Sequence, residues 1–323
     1  MRAKQNPMFY ILSIMFGGIL AGYLMRNAEP VVRLGKSGFI NFLVWAMLFI
    51  LGAEIGSDPD FLGKLSRLGF QALVFASAGV CGSVAAAVLV QKFLSGKGKC
   101  IDGTVGKTDS PDSFWRSMRG TLVVLAFFVA GCAAGQSGII PANMKESNIA
   151  MYILYILMFS VGLGIGSNPE LKTILRSLDI SLLALPLASI LGTLAFSAAA
   201  GLFMKDRELT DCLAIGSGMG YYSLSSILIS QYKEATSGAL LAAELGTVAL
   251  LSNIFREMIT LIGTPFMARK FGPLAPVASA GATAMDVCLP VILKYTGNSM
   301  LPAAVISGIV SDFSVPLLVT LFC

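Results

Sequence analysis

Apolar stretches about 20 residues long follow one another along the whole chain, and most charged residues lie in the segments between them. Of the 323 residues, 55% are hydrophobic and 13% are charged, whereas soluble domains carry about a quarter charged residues. In water such a chain would expose more apolar surface than a soluble monomer tolerates. A bilayer core about 30 Å thick, by contrast, needs about 20 apolar residues per spanning helix. The sequence therefore predicts an all-α, polytopic membrane protein.

The rest of the composition narrows the function. The formal net charge of +5 is spread over many segments, so the chain lacks the basic face that a nucleic-acid binder needs. It contains no histidine, which excludes His-based catalytic triads and the common His metal sites. Its six cysteines show no C-x-x-C spacing and fall mostly within apolar stretches. We therefore expect no metal site, no cofactor and no nucleic-acid partner.

Matching the apolar stretches to the thickness of a bilayer gives ten candidate elements. The segments 237–267 and 301–322 are continuous but carry charged residues. The segments 211–230 and 276–293 are interrupted by glycine, serine or proline, which predicts broken or re-entrant helices. We expect about eight to ten transmembrane elements, two of them discontinuous. The uninterrupted candidates are 8–25, 39–56, 69–91, 120–135, 149–166 and 180–204.

The distribution of lysine and arginine predicts the orientation in the membrane. The segment from Lys92 to Arg119 carries six basic residues, more than any other segment between the predicted elements. Cytoplasmic loops are enriched in such residues. Although Arg2 and Lys4 favour the opposite orientation, we expect the loop 93–119 in the cytoplasm and both termini outside.

An internal repeat is present in the first two thirds of the chain. Residues 49–59 read FILGAEIGSDP and return 110 positions later, at 159–169, as FSVGLGIGSNP. A pair of glycines four residues apart, typical of close helix contacts, lies in the element before each copy: Gly18 and Gly22, then Gly131 and Gly135.

The repeat predicts the domain organisation. We expect two three-helix repeats at 1–92 and 120–204, the basic cytoplasmic loop 93–119 between them, and a core at 211–323. Because three is odd, the second repeat enters the membrane upside down relative to the first. Inverted repeats are typical of secondary transporters that work by alternating access. A fainter correspondence, over 63 residues, pairs Gly218 with Gly281.

Five carboxylates fall within the predicted elements, where an unpaired charge costs at least about 2.5–3.5 kcal/mol. Glu54 and Glu244 lie near element ends, which favours an interfacial position, and Asp312 fits either a helix end or a cavity. The remaining two, Glu257 and Asp286, lie deeper in their elements. Such a carboxylate is paired, protonated or in contact with water.

Glu257 belongs to a polar stripe. Asn253, Glu257, Thr260 and Thr264 follow a 4-3-4 spacing that places them on one face of a helix. In an otherwise apolar helix, this face must point to the protein interior or to a water path. One interpretation is that an arginine, from another helix or Arg256 itself, neutralises Glu257; the other is that Glu257 binds an ion or substrate.

The two interrupted elements carry the other candidate site residues. Asp286 lies between Gly281, which permits unwinding, and Pro290, which frees a carbonyl of its own turn. The segment 216–226 is rich in glycine and hydroxyl groups, and the N–H groups at such a half-helix end suit an anion. The alternative for this segment is tight helix packing. Its candidate ligands are Gly218, Tyr221, Tyr222, Ser223 and Ser225.

Together these features complement a solute with one carboxylate and an excess of positive charge. In the absence of histidine, carboxylates are the side chains left to carry protons. A buried carboxylate that exchanges its proton for a cationic solute performs the simplest antiport chemistry.

At these residues the chain resembles the bacterial lysine exporter family, LysO. The resemblance is strongest from about residue 214 to 322, and thinner through the N-terminal half. It implies export of L-lysine and of its analogue thialysine across the inner membrane, with both termini outside. It also implies a role for two intramembrane acids, which match Glu257 and Asp286. The matching stretches are GMGYYSLS (218–225), FRE (255–257), GATAMD (281–286), LP (289–290) and LPAAV (301–305).

The sequence thus leads us to expect a secondary exporter of L-lysine in the bacterial inner membrane, not an enzyme, driven by H⁺ with Na⁺ as the alternative coupling ion. Its partners are the substrate and the lipid bilayer, and a homo-oligomer is compatible with such a chain. The expected substrate and ion site comprises Glu257, Asp286, Asn253, Tyr221, Tyr222, Ser223, Ser225, Gly218 and Gly281.

Three other functions are compatible with parts of this pattern. A monovalent cation/proton antiporter would use the same acids, and the Ser/Gly/Tyr segment would then only pack. An exporter of another basic amino acid would differ in the length of its cavity. A passive channel would need neither proton coupling nor inverted repeats. An intramembrane enzyme is disfavoured, since no nucleophile–base or Asp-dyad motif has a clear spacing.

Overall fold

The computed structural model describes residues 7–25, 37–56, 61–95, 112–137, 149–167, 180–204 and 207–323. These residues form helices and contain no strand, which confirms the predicted all-α fold. The helices are α1 (Pro7–Leu24), α2 (Ser37–Gly56), α3 (Phe61–Ser95), α4 (Asp112–Gln136), α5 (Ile149–Ser167), α6 (Ile180–Phe203), α7 (Leu209–Gly216), α8 (Tyr222–Ser237), α9 (Ala239–Phe271), α10 (Leu274–Ala280), α11 (Leu289–Thr296) and α12 (Leu301–Phe322), with short 3₁₀ turns at Gly281–Met285 and Asn298–Met300.

Several helices are long and apolar enough to cross a bilayer. Within the described residues the four longest such spans are Ser66–Phe93, Leu183–Phe203, Ala239–Phe271 and Asn298–Phe322. Shorter apolar helical stretches lie at Phe42–Ala53, Leu125–Gln136 and Leu274–Met285. The protein is therefore a multi-pass membrane protein.

The six uninterrupted elements correspond to α1–α6. Two helices begin earlier than the apolar pattern predicts: α3 begins at Phe61 rather than at residue 69, and α4 at Asp112 rather than at 120. The additional turns contain charged residues such as Arg67 and Arg116. A hydrophobic pattern detects the part of a helix that lies in lipid, whereas hydrogen bonding continues the helix into the polar surroundings.

The described helices form two compact units. The first contains α1, α2, α5, the part of α4 from Val124 onwards and the segment Ser230–Ala243. The second contains α3, α6, α7, the start of α8, α9 from Glu244 onwards and α10–α12. Each sequence repeat therefore contributes its first two helices to the first unit and its third helix to the second.

Glycines allow close backbone contact within the first unit, and these contacts occur in matched pairs. A Cβ added to Gly18 would collide with the carbonyl oxygen of Phe159, and one added to Gly131 would collide with that of Phe49. Phe49 and Phe159 occupy equivalent positions of the repeat, 110 residues apart, as do the two glycine pairs. The same contact is thus made twice with the roles of the repeats exchanged.

The third helices of the repeats show the same reciprocity within the second unit. Gly82 of α3 and Gly192 of α6 are also 110 residues apart, and an added Cβ on either would collide with the carbonyl oxygen of the other. An exchange of this kind is what two copies related by a two-fold axis produce. It supports the two three-helix repeats predicted from the sequence.

The second unit also contains the two discontinuous helices. α7 ends at Gly216 and α8 begins at Tyr222, so the first break covers residues 217–221. α10 ends at Ala280, and the second break comprises the 3₁₀ turn Gly281–Met285 and the residues before Leu289. Both elements are interrupted at the glycine-rich positions that predicted discontinuity.

Candidate functional site

The two breaks contact each other through their backbones. The N–H of Ala282 donates a hydrogen bond to the carbonyl oxygen of Met219, at 3.0 Å. A Cβ on Gly281 would collide with this same oxygen, and one on Gly220 would approach the carbonyl oxygen of Ala280 to 2.8 Å. The two discontinuous helices therefore cross at their breaks, with no space for a side chain at either glycine.

This crossing falls at matching positions of the fainter repeat. Met219 and Ala282 are 63 residues apart, the separation that pairs Gly218 with Gly281. Gly220 and Gly281 have positive φ angles of 94° and 62°, and Met219 has a φ of 44°. A positive φ is uncommon for a residue other than glycine and is found at sites that the surrounding structure constrains.

Asn253 of α9 binds to the first break. Its Oδ1 accepts a hydrogen bond from the N–H of Gly220 at 2.7 Å. Its Nδ2 donates to the carbonyl oxygen of Ala249 at 2.8 Å and to Oγ of Ser225 at 3.2 Å. Gly218 permits this approach, since an added Cβ there would collide with Nδ2. Both ends of the amide are therefore engaged by the protein itself.

Arg256, one turn further along α9, binds to the second discontinuous helix. Its Nε donates to the carbonyl oxygen of Ser279 at 2.9 Å, and its Nη2 to that of Ala278 at 3.3 Å. Both terminal nitrogens also donate to Oγ1 of Thr193 on α6, at 3.3 and 3.4 Å. These hydrogen bonds all go to neutral groups at the end of α10 and on α6, so Arg256 is engaged there rather than with the carboxylate of Glu257.

Glu257 and the rest of its stripe face the protein interior. Its side chain is 1% exposed, and those of Asn253, Thr260 and Thr264 are also buried. Oγ of Ser279, in α10, lies 2.6 Å from Oγ1 of Thr260. The prediction that this polar stripe points inward is confirmed.

Asp286 lies at the opposite extreme of accessibility. It follows the 3₁₀ turn of the second break, and its side chain is exposed. Its Oδ1 accepts a hydrogen bond from the N–H of the next residue, Val287, at 2.5 Å. Glu257 and Asp286 both act electrostatically on the buried Cys288 between them in the fold, but one carboxylate is enclosed and the other is accessible.

The carboxylate that the structure brings to Asp286 is Asp312 of α12. The two acids interact electrostatically with each other, and both act on Tyr221 at the first break. Gly308, one helical turn before Asp312, packs against the backbone and Cβ of Met285. The sequence did not decide between a helix end and a cavity for Asp312. A small residue four positions before a carboxylate is the signal that could have placed it here.

The remaining predicted ligands divide into two groups. Tyr221 and Tyr222 are partly exposed at the start of α8, where Tyr221 is near the two aspartates. Ser223 and Ser225 are buried, and Oγ of Ser225 donates to the carbonyl oxygen of Tyr221 at 2.9 Å. Ser225, like Gly218 and Asn253, thus takes part in contacts within the first break, and Gly281 in the crossing itself.

Two other carboxylates of the sequence pattern lie away from this site. Oε2 of Glu244 is 3.5 Å from Nη2 of Arg207, which also donates to Oε1 of Gln71 at 3.2 Å. This pairing accommodates the Glu244 charge near the start of α9. Glu54 lies in α2, and its side chain falls outside the described residues.

Two discontinuous helices that cross within a bundle of apolar helices, beside accessible carboxylates, define a multi-pass membrane transport protein. The family model for the lysine exporter LysO matches residues 12–101 and 125–323. The chain therefore belongs to the lysine exporter LysO family, which confirms the resemblance seen in the sequence.

Two curated relatives agree with this assignment. The chain is 25% identical to the lysine exporter LysO of Escherichia coli (strain K12) over 320 residues, which cover 98% of this chain and 99% of the relative. It is 29% identical to a candidate lysine exporter of Haemophilus influenzae over 175 residues, which cover 53% of this chain and 83% of the relative. No solved structure matches the chain.

Proposed function

We propose that the protein exports L-lysine from the bacterial cytoplasm across the inner membrane in exchange for protons. Membership of the lysine exporter LysO family supports the substrate class, as do the names of the two relatives. In this proposal the loop 93–119 is cytoplasmic, both termini face outward, and analogues such as thialysine follow the same route.

The observation that carries the proposal is the arrangement of Asp286, Asp312 and Tyr221 beside the crossing. Two carboxylates close together attract a cation and disfavour being ionised simultaneously without one. A lysine side chain brings an ammonium group that donates three hydrogen bonds, which suits a pair of carboxylates. A tyrosine hydroxyl next to them adds a neutral partner.

Proton coupling follows from competition for the same carboxylates. A carboxylate that holds a proton is neutral and loses its attraction for the ammonium group, whereas release of the proton restores it. Proton entry from outside would thus discharge lysine, and proton loss to the cytoplasm would allow the next lysine to bind. Alternating access of the crossing to the two sides completes the exchange. Glu257, enclosed on the other side of Cys288, would adjust the charge at the crossing rather than contact the solute.

Exchange in proteoliposomes tests this function. We expect counterflow of radiolabelled lysine that accelerates with an outside-acid pH gradient and is unaffected by replacement of sodium with choline. Unlabelled ornithine and arginine, added as competitors, would show whether another basic amino acid is preferred. Sodium–proton exchange without lysine movement would contradict the proposal and indicate a cation antiporter, and lysine flux without pH dependence would indicate a channel.

Neutral variants connect this flux to the site. Asp286→Asn should abolish lysine-driven proton flux, because the amide cannot carry a proton between the two sides. Glu234→Gln is the matched control, since Glu234 is exposed near the end of α8, outside the acidic site. Normal coupled flux with Asp286→Asn, or equal losses in both variants, would contradict the role of Asp286.

A further inference from the structure

One intact helix, α9, supplies hydrogen-bonding groups to both discontinuous helices. Asn253 binds to the first break and Arg256 to the end of α10, just before the second. The two residues are three positions apart and so lie on neighbouring points of the same face. The sequence analysis treated Asn253 as a ligand of the transported solute and considered Arg256 only as a partner for Glu257.

At the first break, Asn253 replaces hydrogen bonds that a helix would otherwise provide. Gly220 lies before α8, and Oδ1 of Asn253 is the acceptor for its N–H. Nδ2 binds to Ala249 on its own helix and to Ser225 on α8, which fixes the orientation of the amide. With its oxygen and both hydrogens engaged, this amide has the geometry of a structural support rather than that of a binding group awaiting a solute.

At the second discontinuous helix, Arg256 binds carbonyl groups that the end of α10 leaves exposed. The last carbonyls of any helix have no intrahelical donor, and a cation near them is favoured by the helix dipole. The guanidinium donates to two of them, on Ala278 and Ser279. Oγ of Ser189 also donates to the carbonyl oxygen of Ala278, at 3.1 Å, so α6 and α9 together hold this turn.

The two supports are connected through the crossing. Gly220 is adjacent to Met219, which accepts the hydrogen bond from Ala282, and α10 leads directly into Gly281. A shift of either break along the other would therefore disrupt the contacts of Asn253, of Arg256 or of both. Beyond the crossing, the first break continues to Tyr221 and the second to Asp286.

We propose that Asn253 and Arg256 are positioning residues that hold the two breaks in register, so that Tyr221 and Asp286 face the same site. This inference rests on the site of the proposed function but makes a separate claim. It states that neither residue contacts the solute, and that each acts through the break to which it is bonded.

Hydrogen–deuterium exchange on the purified full-length protein tests the positioning without any substrate. Asn253→Ala should raise exchange at least about tenfold in peptides that cover residues 217–222, and Arg256→Met should do so in peptides that cover 278–286. Thr264→Val is the matched control: Thr264 is buried in the same stripe, but its hydroxyl binds the carbonyl oxygen of Thr260 within α9. Arg256→Lys keeps the charge and should restore part of the protection.

Transport supplies the second measurement. Both Asn253→Ala and Arg256→Met should raise the KM for lysine counterflow at least about tenfold, whereas Thr264→Val should change it little. Unchanged exchange at the breaks, or an equal rise throughout both units, would overturn the inference, because the residues would then be dispensable or would only stabilise the fold. If the wild-type protein failed to transport lysine, the proposed function would fail, while the exchange data would still decide whether these side chains hold the breaks.

Discussion

The two compact units use glycine for different purposes. In the first unit, Gly18 and Gly131 lie within regular helices and bring two backbones into contact. In the second, Gly220 and Gly281 adopt positive φ angles at places where a helix is interrupted. The first use leaves every helix intact, whereas the second frees backbone groups that must find other partners. A composition rich in glycine therefore does not reveal which use a given glycine serves.

The second unit meets this need with buried polar side chains. Asn253, Arg256 and Ser189 bind the backbone of the discontinuous helices, whose groups would otherwise be unsatisfied in an apolar surrounding. Polar side chains and irregular backbone inside a membrane protein occur where a cavity or a binding site is built. The comparison thus places the solute site in the second unit and assigns close helix packing to the first.

Gly281→Ala should produce the largest effect, because it combines strain with collision. The positive φ of 62° costs about 1–3 kcal/mol for a residue with a side chain, and the collision with Met219 adds about 1–3 kcal/mol of overpacking. We expect loss of folded protein or of all transport, measured by thermal unfolding and lysine counterflow.

Gly238→Ala is the control for this substitution. Gly238 has a comparable φ of 81°, but nothing lies within 4 Å of its added Cβ. It should show the strain alone. Equal destabilisation by the two substitutions would mean that the crossing is not closely packed.

Asp312→Asn should follow in size. It removes one of the two carboxylates beside Tyr221 while preserving the shape of the side chain. Hydrogen bonds to charged groups contribute about 1.5–3 kcal/mol, so we expect lysine counterflow to fall about tenfold to a hundredfold. Initial rates in proteoliposomes, compared with those of Asp286→Asn and Glu234→Gln, measure this loss. Wild-type rates would exclude Asp312 from the site.

Gly18→Ala and Gly131→Ala should be destabilising by similar amounts, about 1–3 kcal/mol each. Both substitutions insert a methyl group against a carbonyl of the opposite repeat, and the two contacts are equivalent. Thermal or denaturant unfolding of the purified variants measures the effect. Clearly different losses would show that the repeats are not equivalent at these positions.

Gly17→Ala should have the smallest effect and a different sign. Gly17 is next to Gly18 in α1, but nothing lies within 4 Å of its added Cβ. Within a helix, alanine is favoured over glycine by about 1 kcal/mol. Unfolding measurements should therefore show equal or slightly higher stability, and a loss comparable to that of Gly18→Ala would contradict the specific contact at Gly18.

Much of the fold could be predicted from local sequence. Elements such as α1, α5 and α12 match the predicted apolar stretches closely, because the length of an apolar run must match the thickness of the bilayer. The breaks were also predictable, since glycine and proline interrupt hydrogen bonding wherever they occur in a helix.

The partners of individual polar side chains could not be predicted in this way. Asn253 looked like a ligand because an amide in an apolar helix needs partners, but only the fold shows that Gly220 and Ser225 already provide them. Asp312 had no local feature that distinguished a helix end from a cavity, and its proximity to Asp286 arises from the packing of Gly308 on Met285.

The sequence by itself determined that this chain spans a membrane as helices, that two of these helices are interrupted, and that it is similar to lysine exporters. These features depend on hydropathy, backbone chemistry and shared residues, each of which can be read one segment at a time. Only the tertiary structure decided that the breaks cross at Met219 and Ala282, and that Asp286 has Asp312 as its acidic neighbour. Such pairings join residues far apart in the chain, and they depend on how the surfaces of whole helices fit together.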